Sequence, residues 1–243
     1  MQEEEPGPLE RVSAIVPARD ESATIEGVIG PLLAQPLIDE VIVVDDGSSD
    51  GTAERARAMG VTVISLPQNL GKAAAMARGA AAARNDILFF SDADVLGLTP
   101  DMVARIVTPV TSGRFTMYVG IRGRRTYWAN RLLHFTPILG GERALRRELW
   151  DQVPTTYKKN FQIEIALNYF AKLNGHRMGF EVVRGLDQVI KERKRGLLPG
   201  LWQRLSMIGD ILLVSWRVYV VLSARLLLGR GRVAAPAPEP PAA

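Results

Sequence analysis

Cysteine is absent from this chain of 243 residues, which excludes disulfides and zinc sites built on thiolates and fits a reducing compartment. Histidine is scarce, and His134 and His176 lack metal-ligand spacing, so both read as structural. Two common phosphate-binding loops are missing. Asn69-Leu70-Gly71-Lys72 ends like a P-loop, but Leu66 stands where its first glycine belongs, and no G-x-G-x-x-G follows a predicted strand. ATP hydrolysis and NAD redox chemistry are therefore not expected. Aromatic residues make up only 7% of the chain and are not interleaved with the basic ones, so no nucleic-acid platform is expected. The first ten residues lack both a basic n-region and an apolar h-region, so no secretory signal is expected and the chain is read as cytoplasmic. The apolar stretch from Leu205 to Leu228 is interrupted by Asp210, Arg217 and Arg225, which leaves no uncharged run of about 18 residues for a conventional span.

With 47% apolar and 23% charged residues the chain has the make-up of one large globular domain. Residues 1–10 read as a flexible start, 11–196 as the folded domain, 197–230 as an amphipathic helix and 231–243 as a disordered Pro/Ala tail. In the amphipathic segment Asp210 and Arg217 share a face, and Trp202, Trp216 and Tyr219 suit a membrane surface; packing on the chain's own core or on a second copy is the other reading. The net charge of +4 resides late, in Arg122, Arg124, Arg125, Arg131, Arg143, Arg146 and Arg147 and again in Lys191, Arg193, Lys194 and Arg195. Such clusters suit local anions, either phosphates or anionic lipid at the inner membrane face.

From Arg11 to Phe90 short β-rich runs alternate with Ala-rich helical ones, the pattern of an α/β fold with a mostly parallel sheet and flanking helices. Strands are predicted at Val12–Pro17, Val41–Val44, Val61–Leu66 and Ile87–Phe90, and helices near Ser22–Ala34, Thr52–Met59 and Lys72–Ala83. Further on, the pattern predicts strands at Phe115–Val119 and Arg177–Val183 and a helix over Phe161–Leu173. Ligands of open parallel sheets bind beyond the carboxyl ends of the strands. Three acidic clusters fall there: Arg19-Asp20-Glu21, Asp45-Asp46 and Asp92-Ala93-Asp94.

Asp92-Ala93-Asp94 carries the most chemistry. A buried strand ending in two carboxylates presents hard oxygen ligands where Mg²⁺ or Mn²⁺ can also hold a diphosphate. A cation on Asp94, shared with Asp92, would offset the charge that develops as a diphosphate departs. Taken alone, an Asp-x-Asp also serves as a surface turn or helix-capping pair.

The arrangement resembles the family 2 glycosyltransferases with the nucleotide-diphospho-sugar transferase (GT-A) fold, from about Val12 to Gly196. The resemblance rests on Ile15-Val16-Pro17-Ala18-Arg19-Asp20-Glu21, on Val43-Val44-Asp45-Asp46-Gly47-Ser48-Ser49-Asp50-Gly51-Thr52, on Asn69-Leu70-Gly71-Lys72 and on the Asp92-Ala93-Asp94 motif. It implies that Asp46 lies against the nucleoside, that Pro17, Arg19 and Glu21 line the same pocket, and that Asp92, Ala93 and Asp94 serve ribose, diphosphate and metal. Lys72 either joins this donor site or is a solvated charge at a helix start, and Asp45 and Asp50 read as turn residues.

In the second half Gly120-Ile121-Arg122, Asn130-Arg131 and Gly141-Glu142-Arg143-Ala144-Leu145-Arg146-Arg147 resemble the polyprenol-phosphate (dolichol-phosphate mannose synthase-like) branch, and Lys191-Glu192-Arg193-Lys194 resembles its late basic loop. By that resemblance Arg122, Arg131 and Arg143 hold an acceptor phosphate, while Lys191 and Arg193 offset diphosphate charge. A phosphate oxygen is already anionic and needs no general base, whereas a hydroxyl acceptor does. Glu164 is the candidate base, and it also reads as a positioning or buried structural carboxylate. Val95-Leu96 departs from the branch, which commonly has Gln at the second position.

The expectation is a metal-dependent, inverting glycosyltransferase that moves a hexose from a UDP- or GDP-sugar to a polyprenyl phosphate. Its rivals are the same fold acting on a soluble or lipid hydroxyl with Glu164 as base, and a non-catalytic nucleotide-sugar-binding or membrane scaffold. A homo-oligomer is compatible with each.

Overall fold

The computed structural model describes residues 10–122, 140–158 and 162–188. The amphipathic stretch and tail, and with them Lys191 and Arg193, lie outside the described residues, as does Arg131.

The first strand, β1 (Val12–Ala18), is apolar on both faces and almost wholly buried, as a central strand of a parallel sheet must be. It lies between β2 (Ile38–Asp45) and β4 (Ile87–Phe90), both parallel to it, with β3 (Thr62–Ser65) outside β2. Beyond β4 follow β7 (Glu142–Arg146), β6 (Met117–Arg122) and β8 (Met178–Val183), giving the order β3-β2-β1-β4-β7-β6-β8. β7 alone among these strands runs against its neighbours, so the sheet is mostly parallel. A short antiparallel pair, β5 (Val95–Leu96) with β9 (Asp187–Gln188), lies apart from it.

Helices cover both faces. On one side α1 (Ile25–Leu33) buries Ile25, Val28, Ile29 and Leu32, an i, i+3, i+4, i+7 stripe that packs with Val12, Ala14 and Val16. Nearby stand α2 (Thr52–Ala58) and α4 (Pro100–Thr111). The start of α4 is capped by Thr99, whose hydroxyl accepts from the Met102 N–H at 3.2 Å, with Pro100 at the first helical position. The opposite face carries α3 (Lys72–Ala82), α5 (Arg147–Gln152) and α6 (Gln162–Leu173), which pack on Ile15, Leu88, Phe90 and Leu145.

Helix α3 fixes the site. Its buried residues are Ala73, Ala75, Met76, Gly79 and Ala80, all but Met76 small, which lets the helix lie close on β1. A Cβ at Gly79 would come within 2.4 Å of Ile15 Cγ2, so any larger residue there must push the helix away. Lys72, at the N-terminus of α3, is thereby set beside the carboxyl ends of β1 and β2.

Most predicted elements of the first ninety residues are present, with ends shifted by a few residues. The helix α4 and the strand β7 are additions that the sequence pattern did not reveal. In β7 both Glu142 and Arg143, which the resemblance places in a phosphate-gripping segment, are buried, and the strand lies between β4 and β6.

Candidate functional site

Beyond Ile15 and Phe90 the pairing of β1 with β4 ends, and the two chains separate. The connection from β1 runs to β2 on one side while β4 lies on the other, so the gap is the topological switch point where ligands of such sheets bind. A cavity of about 260 Å³ opens there, lined by Pro17, Ala18, Arg19, Glu21, Asp46, Asn69, Gly71, Lys72, Ala75, Asp92, Ala93 and Asp94. All the residues expected to hold a donor nucleotide thus share one cavity wall. Pro17 sits past the end of the β4 ladder, where its missing N–H breaks no bond to that strand.

The loops behind this wall are tied by carboxylates. Asp46, buried at the end of β2, accepts from the backbone N–H groups of Leu70 (2.7 Å) and Gly71 (2.9 Å), so it shapes the loop before α3 as well as facing the cavity. Asp45 accepts from Ser48 N–H at 3.1 Å and orients the following turn. Asp20 has φ of 51°, a left-handed conformation that Asp tolerates, and it binds the second loop through its N–H to Ser48 Oγ and its carboxylate to Ser49 N–H. Asp50 accepts from the backbone of Ser22 and Thr52 and from the Thr52 hydroxyl; partial burial opposes its charge, but these donors hold its carboxyl down at about 2.

The Asp-x-Asp pair divides its labour. The oxygens of Asp92 are met by Lys72 Nζ at 2.7 Å and Arg122 Nη2 at 2.9 Å. Burial alone would raise its carboxyl; the two cations outweigh that and hold it well below the usual carboxylate range. A Cβ at Gly141 would lie 2.0 Å from Asp92 Oδ2, so only glycine leaves room for this carboxylate. Asp94 is buried in the cavity wall. No group of three or more His, Cys, Asp or Glu side chains able to hold a metal exists among the described residues. This sparse, all-oxygen donor set fits Mg²⁺ or Mn²⁺, which are commonly bound by one or two carboxylates with substrate phosphates completing the shell. Asp92 and Asp94 line the same cavity, so either carboxylate could contribute an oxygen to such an ion.

In Val95-Leu96 the position where the expected branch commonly carries Gln, Leu96, is exposed. Val95 is buried in the main core while the two residues pair with β9.

Lys72 is not a solvated charge. Its ammonium also meets Glu164 Oε1 at 3.0 Å, and burial, which would lower its pKa, is outweighed by the two carboxylates, which raise it above the ordinary lysine value. Glu164 projects from the first turn of α6 toward the cavity's edge and is therefore coupled to the donor wall through Lys72.

Of the residues expected on the acceptor side, Arg143 is interior and Arg122 is engaged by carboxylates. Arg143, expected to grip an acceptor phosphate, is 1% exposed; its guanidinium donates to the Gly140 carbonyl at 3.2 and 3.3 Å and to the Glu164 carbonyl at 3.5 Å. It braces β7 against α6 from below, and burial lowers its pKa despite the nearby Glu164, Asp92 and Glu142 charges. Arg122, expected in the same role, is engaged by Asp92 and by Glu142 Oε1 (2.7 Å), so a phosphate must compete with two carboxylates for it. Burial would lower the pKa of Arg122, but these partners raise it. Glu142, whose electrostatic part the sequence reading missed, is wholly buried; burial pushes its carboxyl up to about 7, with Asp92 adding to the shift and Arg122 opposing it.

Residues 13–166 match the glycosyl transferase family 2 profile. The chain belongs to glycosyl transferase family 2. The glycosyltransferase is 31% identical over 227 residues to the glucosyl-3-phosphoglycerate synthase of Mycolicibacterium paratuberculosis, across 78% of this chain and 68% of the relative. It is 40% identical over 90 residues to the 4,4'-diaponeurosporenoate glycosyltransferase of Staphylococcus haemolyticus, across 35% of this chain and 24% of that protein. Among solved structures it resembles glucosyl-3-phosphoglycerate synthase from Mycobacterium tuberculosis in complex with Mn²⁺, uridine-diphosphate-glucose and phosphoglyceric acid, with a TM-score of 0.70 and 28% identity over 85% of this chain and 79% of that one. The glycosyltransferase thus has the expected GT-A fold. The finer expectation of a dolichol-phosphate mannose synthase-like branch finds no support in these relatives: the two mycobacterial ones carry phosphoglycerate in their names, and the third is a 4,4'-diaponeurosporenoate glycosyltransferase.

Proposed function

We propose that this glycosyltransferase moves glucose from UDP-glucose, with Mn²⁺ or Mg²⁺, to the hydroxyl of a small phosphorylated hydroxy acid of the 3-phosphoglycerate type. The reading rests on one observation above all. Pro17, Arg19, Glu21, Asp46, Lys72, Asp92 and Asp94 line one cavity at the switch point of the sheet, with Glu164 tied to its edge by Lys72. The substrates bound by the mycobacterial structure support the donor and the acceptor class.

When bound, the divalent ion would be held by Asp94 and donor oxygens and would neutralise charge on the departing diphosphate. Lys72 adds a second positive charge on the same wall, beside the N-terminus of α3. Glu164 takes the proton of the acceptor hydroxyl as its oxygen bonds to the anomeric carbon; the bond from that carbon to the diphosphate oxygen breaks, and the electron pair leaves with UDP. An acceptor with a hydroxyl restores the need for a base, which a polyprenyl phosphate would remove.

The test is a transfer assay with radiolabelled UDP-glucose and Mn²⁺, offering 3-phosphoglycerate or polyprenyl phosphate and separating water-soluble from lipid-extractable label. The expected result is label in a soluble, anionic product that requires 3-phosphoglycerate. Label confined to the lipid extract would overturn the acceptor and restore the polyprenyl phosphate; no transfer to either would overturn the proposal.

A further inference from the structure

Five charged side chains alternate in sign across the strand ends. Glu164 meets Lys72 at 3.0 Å, Lys72 meets Asp92 at 2.7 Å, Asp92 meets Arg122 at 2.9 Å and Arg122 meets Glu142 at 2.7 Å. Glu142 ends the series, does not line the donor cavity and is entirely buried. Its Oε1 accepts from Arg122 Nη2, while its Oε2 has no hydrogen-bond partner among the described residues. A half-satisfied buried carboxylate is costly to the fold, and an apolar residue of similar size avoids that cost. Stability alone therefore does not account for a glutamate at this position.

The geometry points to Glu142 as a positioning residue of the donor site, acting through Arg122 to fix the Asp92 carboxylate. This deepens the nucleotide-sugar reading and rests on it. Arg122 is a long side chain at the end of β6, only partly buried, and it holds Asp92 from the side opposite Lys72. Glu142 anchors the same Nη2 that contacts Asp92, so the guanidinium is gripped from two directions. The adjoining Gly141 places bare backbone against Asp92, so the start of β7 seats the carboxylate directly and through its arginine. Without Glu142 the guanidinium loses one of its anchors, and Asp92 is held by a less fixed partner.

The experiment measures UDP binding by calorimetry with and without Mn²⁺. Glu142→Leu, which keeps the bulk and removes the acceptor, is expected to weaken UDP binding about tenfold, the scale on which partners of ligating groups act. Its melting temperature should equal or exceed that of the unaltered protein. Glu142→Gln, whose carbonyl still accepts from Arg122, should bind UDP within about threefold of the unaltered protein. In an Arg122→Met background Glu142→Leu should add no further loss, because the effect runs through the guanidinium. Should the leucine variant not fold, Glu142→Asp, which draws the carboxylate back by one methylene, carries the same expectation. Wild-type UDP affinity in the leucine variant, or losses that multiply with Arg122→Met, would overturn the positioning role while leaving the nucleotide site intact. No UDP binding by the unaltered protein would overturn both.

Discussion

Asp94→Asn is expected to lower turnover with UDP-glucose by about a thousandfold, the loss of several kcal/mol of charge stabilisation at about 1.36 kcal/mol per tenfold. Asp94 lies just past β4, is buried in the cavity wall, and is the carboxylate proposed to seat the divalent ion. Asparagine keeps the shape and one oxygen but removes the charge, so the fold should survive while the metal seat fails. Asp92 is engaged by Lys72 and Arg122 and is not expected to take over that role. Far-UV circular dichroism and a thermal melt should show an intact protein, and steady-state kinetics should show the loss mainly in kcat/KM. Turnover within tenfold of the unaltered protein would remove Asp94 from the metal site.

Glu164→Gln is expected to lower kcat by about a hundredfold or more, the scale of general-base catalysis. The amide keeps an oxygen toward Lys72, so the ion pair becomes a hydrogen bond and the donor wall keeps its shape. UDP affinity should therefore change little while turnover collapses. That split between binding and kcat separates a base from a side chain that only positions Lys72, whose loss would weaken UDP binding as well. Near-normal turnover would mean that the attacking oxygen is already anionic, which would favour a phosphate nucleophile.

The donor half was legible because its signals are local. A parallel α/β unit writes each strand as a short apolar run and places functional residues immediately after it, so Pro17, Asp46 and Asp94 could be read from position in the pattern. Lys72 was ambiguous because its partners, Asp92 and Glu164, are remote in sequence and meet it only through packing. The surroundings of the expected acceptor residues were not legible for the same reason. An arginine in Gly141-Glu142-Arg143 looks alike whether it faces solvent or the interior, and what decides the matter is the insertion of β7 between β4 and β6, an antiparallel placement that no periodicity in five residues announces. Arg143 is then buried against the Gly140 carbonyl, and Arg122 is held by Glu142 and Asp92, contacts that the sequence does not announce. The helix α4 was missed although its Thr99-Pro100-Asp101 start is a regular capping signal. The family could be inferred from the donor motifs, but the acceptor could not, since it depends on where charged side chains turn after the chain folds.

The cavity at the β1–β4 switch point is proposed to bind a nucleoside diphosphate through a divalent cation seated on Asp94. Calorimetric titration of UDP into the protein, in Mn²⁺ and again in excess chelator, tests it most directly. The account predicts saturable binding that weakens about tenfold or more when the metal is removed, and Asp94→Asn should bind UDP equally weakly in both conditions. UDP binding indifferent to metal, or a metal effect that survives Asp94→Asn unchanged, would contradict it.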